Sequence, residues 1–442
     1  MSGVVVIGNG PAGHRLVERL RHHGHRGQVT VLGAEPVPAY NRALLISVLD
    51  GSLGPDSLTL PRPPGDIRVR LGTVVRAIDR RRRTVYTDDG TAYPYDALVL
   101  ATGARPADDS GLRTLADGGA PVPGPVAVVG GGVLGVETAL ALRRAGRSVT
   151  LVHPHPRPLN RLLDATAGDL LAVRLAAHGV GLRLGRRVAD RQTGKLVLDD
   201  GEVVEAAGVL FCTGVVPRTR LARAAGLAVR RGVLVDDGLR TSDPYVHAVG
   251  DCAEHDGRTA AGLSAAWEQA DTLAELLAGG TARYRPTPVS VRLKAPELDL
   301  AVLGPPDAAG DETVTFTDPA RARHARLTLR EGHVVGAQLL GMERAAAAVV
   351  QLYDRGLPVP SGRLGLLLGR AADTDTGPLE LPDSTVVCVC NNVTKGALLR
   401  ACREGARDLS AVTAATRAAT GCGTCLPEVR RVCASRFAPE ER

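Results

Sequence analysis

Aromatic side chains are scarce: the 442 residues include one Trp, three Phe and seven Tyr, about 2%. Cores must therefore be assembled from Leu, Val and Ala, and recognition of nucleic acid by stacking bases on rings has little to work with. No apolar stretch reaches roughly 18 residues before Arg, Gly or Asp interrupts it, which argues against a membrane-spanning helix and a membrane partner. The chain runs into VVVIG after three residues, with no basic region, apolar core or small-residue cleavage site, so the expectation is a cytoplasmic protein without a secretory leader. Cysteine is absent before Cys212, and six of the eight cysteines lie beyond residue 380. Disulfides are rare in the cytosol, so this cluster calls for another chemistry.

With 44% hydrophobic and 23% charged residues, the composition is that of a globular protein and excludes wholesale disorder. A chain of this length suffices for about three domains. The formal charge of +7 comes from dispersed Arg; the densest run, Arg80 to Arg83, reads as a solvated turn. This charge supports no more than a mild preference for an acidic protein partner.

Two segments share one grammar of apolar run, glycine-rich turn and helix-forming stretch: VVVIGNGPAGHRLVERL at 4–20 and VAVVGGGVLGVETALAL at 126–142. The duplication predicts two nucleotide domains of βαβ type. DALVLATG at 96–103 and AGVLFCTG at 207–214 read as buried parallel strands ending in Thr-Gly turns at a ligand crevice. From about 285 to 350 the pattern alternates, which predicts an antiparallel layer covered by a helix. Residues 371–383 are polar and aperiodic, a linker to a tail of about 55 residues, too small for a core alone to stabilise reliably.

In the first motif Gly8, Gly10 and Gly13 allow a tight turn, close approach of a pyrophosphate to helix-terminal amides, and tight helix–strand packing. Glu35, 22 residues past Gly13 at the end of the second strand, can accept hydrogen bonds from both ribose hydroxyls. The second motif carries Gly130, Gly132 and Gly135, but its second strand ends at His153, with His155 and Arg157 behind it. Imidazole and guanidinium tolerate a 2′-phosphate that a carboxylate would repel, so NADPH is as plausible here as NADH. The tail holds Cys388 and Cys390, then 31 residues, then Cys422 and Cys425. Four thiolates on two turns can enclose an iron–sulfur cluster or a zinc ion, and spacing alone leaves both open.

TSDPYVHAVGDCAEH at 241–255 resembles the second FAD-binding segment of the two-dinucleotide flavoprotein reductases, the glutathione reductase and ferredoxin reductase superfamily. That resemblance implies that Gly250 and Asp251 hold the flavin ribityl chain and that Thr102 and Gly103 form a strand-to-crossover turn. The disulfide-reducing branch needs a close cysteine pair beside the flavin; Cys212 and Cys252 do not make one and read as buried apolar residues. PAYNRALLISVL at 38–49 resembles the Tyr-x-Arg block of ferredoxin-reductase-like and nitrite-reductase-like enzymes, implying that Tyr40 and Arg42 line the FAD. Ile46 and Ser47 stand where ferredoxin reductases commonly have a Lys. CNNVTKG and TGCGTC are similar to the bacterioferritin-associated-ferredoxin-like [2Fe-2S] domain, which favours a cluster over zinc; Cys402 and Cys433 fall outside that pattern and read as structural.

Taken together, GNGPAGHR, AYNR, VGGGVLGVE, TSDP and LPDS…VTKG…TGCG resemble the N-terminal half of assimilatory NAD(P)H nitrite reductase large subunits and the electron-transfer subunits of assimilatory nitrate reductases. The expected fold class is α/β. It comprises an FAD-binding domain over 1–108 and 240–283, an NAD(P)H-binding domain over 109–239, an α+β interface domain over 284–370 and a small [2Fe-2S] domain over 384–442. The resemblance implies an enzyme that takes reducing equivalents from NAD(P)H through FAD and the cluster to a separate molybdenum nitrate reductase catalytic subunit or, second, a nitrite reductase. Nitrite reductase large subunits continue into a sirohaem half that these 442 residues do not include, hence the expectation of electron delivery rather than nitrite reduction. No catalytic acid or base is expected, and Trp267, Glu268 and Gln269 are candidates for the flavin's surroundings. A redox sensor without sustained turnover is the alternative from another class, and an oligomer is compatible with all of these readings.

Overall fold

Apolar runs of four residues form the centre of each parallel sheet. The computed structural model describes residues 3–108, 111–117, 124–259, 262–287, 290–295, 297–305, 308–368, 383, 385–388, 391, 393–420 and 425–434. The chain divides into two compact units, one of residues 1–45, 53–107 and 215–287, the other of 46–52, 108–214 and 288–442.

The first unit is built on a five-stranded parallel sheet in the order Val246–Ala248, Ala97–Leu100, Val4–Ile7, Val29–Leu32, Arg68–Arg70. Alternation sends Val4, Val6, Val29, Val31 and Val99 to one face, where they bury Leu16, Val17 and Leu20 of helix Pro11–His22 and Ala270 and Leu273 of helix Leu263–Leu277. Val5, Ile7, Leu98 and Leu100 go to the other face, against Val85, Tyr95, Val233 and Cys252. Arg80 to Arg83 turn the corner between strands Val75–Asp79 and Thr84–Thr87, with Arg80 3.6 Å from Asp243 and the Arg83 guanidinium 3.4 Å over the Tyr245 ring.

The second unit repeats the arrangement with four parallel strands in the order Val180–Leu184, Val149–His153, Val126–Val129, Gly208–Phe211. Val126, Val128, Val149 and Leu151 pack on helices Val133–Arg144 and Ala165–Ala177, while Ala127, Val129 and Val152 pack on Leu196, Leu198 and Val204. Each fully buried Leu in such a layer contributes about 2 kcal/mol. The expected antiparallel layer follows, in the order Ser290–Arg292, Leu300–Leu303, His333–Leu340, Arg323–Arg330, Glu312–Asp318. Helix Glu343–Arg355 covers it through Ala345, Ala346, Val349 and Leu352.

In the tail, a short hairpin pairs Val386–Cys388 with Val393–Thr394, and the Thr394 hydroxyl accepts from the Ala397 N–H to start helix Lys395–Arg403. Helices Leu409–Thr416 and Leu426–Cys433 pack on that helix and on each other. Of the linker expected over 371–383, only Asp383 lies within the described residues.

Candidate cofactor sites

Helices Ala165–Ala177, Lys395–Arg403 and Leu409–Thr416 begin with a side-chain oxygen, from Asp164, Thr394 and Asp408, accepting a first-turn N–H. Helices Pro11–His22 and Val133–Arg144 do not. They follow Gly10 and Gly132, with no capping side chain and no acid in the first turn, so their terminal amides are free to meet an anion. The backbone reason for the outer glycines is the same at both sites. Gly8 has φ 118° and Gly130 φ 115°, and a Cβ on either would collide with the carbonyl of Ala101 or Cys212; a Cβ on Gly13 or Gly135 would overlap the carbonyl oxygen of Gly8 or Gly130. The Ala-Thr-Gly and Cys-Thr-Gly turns thus serve as floors under the glycine loops. The Thr102 hydroxyl is spent on the Arg218 carbonyl at 2.9 Å, and Gly103 takes φ 67°.

Around the first loop the structure gathers most of the residues expected there. Glu35 accepts from the Tyr40 hydroxyl at 2.8 Å and from Arg42, whose guanidinium also lies 4.8 Å over the Tyr40 ring. Arg42 also flanks Gly10, its Nε 3.7 Å from the position a Cβ there would take. Gly250, at φ 75°, sits against Ala12 in the first turn of the same helix, which puts Asp251 beside the first loop although 241 residues separate Asp251 from Gly10 in sequence. The buried Gln269 carbonyl accepts from the Gly250 N–H at 2.7 Å and fixes that turn. Trp267 is buried, and Glu268 accepts from the Thr287 N–H at 3.2 Å.

At the second loop His153 is 7% exposed and both ring nitrogens are engaged: Nδ1 accepts from the Gly131 N–H at 2.9 Å, and Nε2 lies 3.1 Å from the Asn160 amide oxygen. This pattern requires the Nε2–H tautomer of a neutral imidazole, and burial lowers the His153 pKa to match. The position that was open to a charged 2′-phosphate ligand holds an uncharged ring that seals the loop. Arg157 pairs with Asp169 at 2.7 Å, and Arg186, whose side chain pairs with Asp200, donates its backbone N–H to the His153 carbonyl. Asn160 and Arg186 escaped the sequence reading because only the fold brings them to His153.

Cys212 and Cys252 are buried. The Cys212 thiol, pushed up to about 11 by burial, donates to Thr138 at 3.8 Å; the Cys252 thiol, also raised by burial, donates to the carbonyls of Leu100 and Val249 at 3.3 Å each. Both stay protonated and act as small packing groups.

In the tail, Cys388 and Cys425 are buried, and Cys390 and Cys422 lie outside the described residues. Cys388 ends strand Val386–Cys388, on which helix Leu426–Cys433 packs, and Cys425 is the residue before that helix, where its dipole favours a thiolate. Asn391, three residues past Cys388, donates its Nδ2 to the Arg417 carbonyl at 2.7 Å and the Thr420 hydroxyl at 3.1 Å. Thiols held on a bulged hairpin and at a helix start suit a thiolate-bound cluster. Among the described residues no three His, Cys, Asp or Glu groups form a metal site, and no helix is long and apolar enough to cross a membrane.

Two parallel sheets with uncapped glycine-loop helices, joined to a cysteine-bearing tail, define a pyridine-nucleotide-dependent flavoprotein oxidoreductase with an iron–sulfur module. The chain belongs to the pyridine nucleotide-disulphide oxidoreductase family, whose model matches residues 2–271, and residues 386–435 match the BFD-like [2Fe-2S] binding domain. It is therefore an NAD(P)H oxidoreductase with FAD and a [2Fe-2S] cluster as cofactors. It is 31% identical, over 97% of its length, to the nitrite reductase [NAD(P)H] of Bacillus subtilis (strain 168). It is also 31% identical, over 96% of its length, to that organism's assimilatory nitrate reductase electron transfer subunit. The chain spans 57% and 58% of those two relatives. Among solved structures, the covalent putidaredoxin reductase–putidaredoxin complex contains a chain with TM-score 0.74 and 28% identity, covering 82% of this chain and 95% of that one.

Proposed function

We propose that this chain is a cytoplasmic electron-delivery component of nitrate assimilation. It draws on NAD(P)H and supplies single electrons, through a cluster held by Cys388, Cys390, Cys422 and Cys425, to a separate molybdenum nitrate reductase catalytic subunit. The observation that carries this reading is the joining, in one chain, of a reductase and a [2Fe-2S] module along 96% of a length matched by a protein named as such a subunit. The equally similar nitrite reductase supports a second acceptor, a nitrite-reducing catalytic component.

Bound FAD supplies the conversion between a two-electron donor and a one-electron carrier, and the cluster supplies the carrier. The residues do the holding. Gly8, Gly10, Gly13 and the amides of helix Pro11–His22 receive the FAD pyrophosphate, with Arg42 as counter-ion beside Gly10, while Glu35 and Tyr40 take the ribose. Thr102, Gly103, Gly250 and Asp251 shape the flavin end of the site. Gly130, Gly132, Gly135, His153 and Arg157 form the corresponding NAD(P)H site, where the neutral His153 sets no negative charge against a 2′-phosphate. No side chain needs to act as acid or base. The domain limits follow as 1–108 with 240–283, 109–239, 284–370 and 384–442.

The test is reconstitution. The purified chain, mixed with a molybdenum nitrate reductase catalytic subunit, should give NAD(P)H-dependent nitrite; ferricyanide reduction without nitrite would overturn this acceptor, and ammonium from nitrite with a nitrite reductase instead would install the second. Cys422→Ser should keep FAD and NAD(P)H–ferricyanide activity while losing delivery, and retained delivery would refute the cluster route.

A further inference from the structure

The antiparallel layer of the second unit has two buried faces. One carries Ala325, Leu327, Ala337 and Leu339 and packs on helix Glu343–Arg355 through apolar contacts alone. The other joins the core beneath the parallel sheet through Leu300, Val302 and Leu340, yet His324, Arg326 and Gln338 stand on it where the alternation calls for apolar residues. His324 is 1% exposed and Gln338 4%. Burying an imidazole and an amide is costly unless partners are supplied, so a chain that needed only a core would carry Leu or Val here. All three side chains converge on Asp164. The Gln338 amide oxygen accepts from the Asp164 backbone N–H at 2.8 Å, and Arg326 Nη1 and His324 Nε2 each lie 3.5 Å from Asp164 Oδ2. Asp164 Oδ1 accepts from the Ala167 N–H at 2.9 Å and so caps helix Ala165–Ala177. Farther along that helix Arg174 donates to the carbonyls of Ala322 and Leu298, at 2.9 and 2.6 Å, so the helix is fastened to the layer at two places. Asp164 also closes the loop at 154–163, which carries Arg157 and Asn160. Inside this loop the Leu163 N–H donates to the Leu159 carbonyl at 3.0 Å, and the Leu159 N–H donates to the Gly131 carbonyl at 2.8 Å. Leu159 holds φ 51°, a left-handed conformation that only fixed surroundings maintain in a residue with a side chain. Because Gly131 also donates its N–H to His153, which Asn160 holds, both backbone groups of Gly131 are tied to the loop that Gln338 anchors.

We propose that Gln338, supported by Arg326, is a positioning residue for NAD(P)H: by holding Asp164 it fixes the loop at 154–163 and, through Leu159 and Asn160, the Gly131 segment against which the nucleotide binds. The proposal rests on the reading of Gly130, Gly132, Gly135 and His153 as the nucleotide site. Gln338 acts through Asp164 and the loop rather than by touching the nucleotide. Without its amide oxygen the Asp164 N–H loses its partner and the loop loses its far anchor. The nucleotide must then order the loop itself, and that ordering is subtracted from its affinity. Affinity for NAD(P)H is thus set in part by a layer outside the dinucleotide fold.

The experiment uses the full chain with its cofactors bound. ADP-ribose, which keeps the adenosine end and pyrophosphate of NADH but lacks nicotinamide, is titrated by calorimetry into the wild type, Gln338→Leu and Leu327→Ala. Hydrogen–deuterium exchange of the same proteins is followed by mass spectrometry. Leu327 lies on the opposite face of the layer, so its truncation loosens the layer without touching Asp164. Gln338→Leu should bind ADP-ribose about tenfold more weakly and raise KM for the nucleotide by a like factor, with kcat and FAD content unchanged. Its amides at 129–136 and 157–166 should exchange faster than in the wild type. Leu327→Ala should lower Tm but keep ADP-ribose affinity within about twofold. Equal weakening by both variants would reduce Gln338 to a packing residue and overturn the proposal, as would an unchanged affinity in Gln338→Leu. If ADP-ribose leaves the wild-type amides at 129–136 unprotected, the nucleotide-site reading falls and the positioning role falls with it. Should Gln338→Leu fail to fold, Arg326→Gln decides: a loss of about threefold in ADP-ribose affinity supports the proposal, and no loss overturns it.

Discussion

Acid should destabilise the first unit through one histidine. His247 lies in strand Val246–Ala248, which leads into Gly250 and Asp251; it is 6% exposed, and no hydrogen bond satisfies its Nδ1. Burial first, and Arg240 second, lower its pKa to about 4, whereas the unfolded chain titrates it near 6.5. The native state therefore binds the proton less readily than the unfolded one. Its contribution is complete above about pH 6.5 and is lost as the pH falls towards 4. The linkage relation puts the loss at about 2 kcal/mol by pH 5 and at about 3 kcal/mol once both states are protonated. His247→Leu removes the titration. Urea unfolding, followed by backbone circular dichroism and by the fluorescence of released FAD, would be run at about pH 7.5 and pH 5 on both proteins. The wild type should lose about 2 kcal/mol more than the variant between those pH values, and FAD release should follow the same difference. Equal losses would refute the assignment of a neutral, buried His247.

Three further outcomes are expected. Gly135→Ala places a methyl group on the Gly130 carbonyl, so NAD(P)H-dependent ferricyanide reduction should fall at least about tenfold while FAD content, set by the first loop, stays near wild type. His153→Glu restores a carboxylate at the ribose position and should raise the NADH to NADPH ratio of kcat/KM by about tenfold or more, equivalent to about 1.4 kcal/mol; an unchanged ratio would remove His153 from cofactor choice. Asn391→Ala removes the bonds to Arg417 and Thr420, a loss of about 1–3 kcal/mol, and should lower iron and sulfide retained after gel filtration while ferricyanide reduction persists.

The glycine loops were legible because their constraint is local. Gly8 and Gly13, or Gly130 and Gly135, are fixed by collisions within a few residues and with the next strand, so spacing alone exposes them. The unbroken apolar runs in DALVLATG and AGVLFCTG likewise foretold buried parallel strands. What escaped notice was the set of polar partners supplied by distant segments. Gln269 was a candidate for the flavin's surroundings, but its bond to the Gly250 N–H follows from no periodicity, and Asn391 meets Arg417 and Thr420 across a whole helix pair. His153 was identifiable by position, but its use of both nitrogens depends on Asn160 and on the loop's curvature, and neither leaves a pattern in the residues.

The scarcity of rings has a practical side. Trp267 is the chain's one indole, buried on helix Leu263–Leu277, two residues from the glutamine that pins the Gly250 turn. Among the protein's own side chains, light at the red edge of the protein band excites that indole in preference to the tyrosines, so tryptophan emission is a built-in, label-free gauge of the first unit.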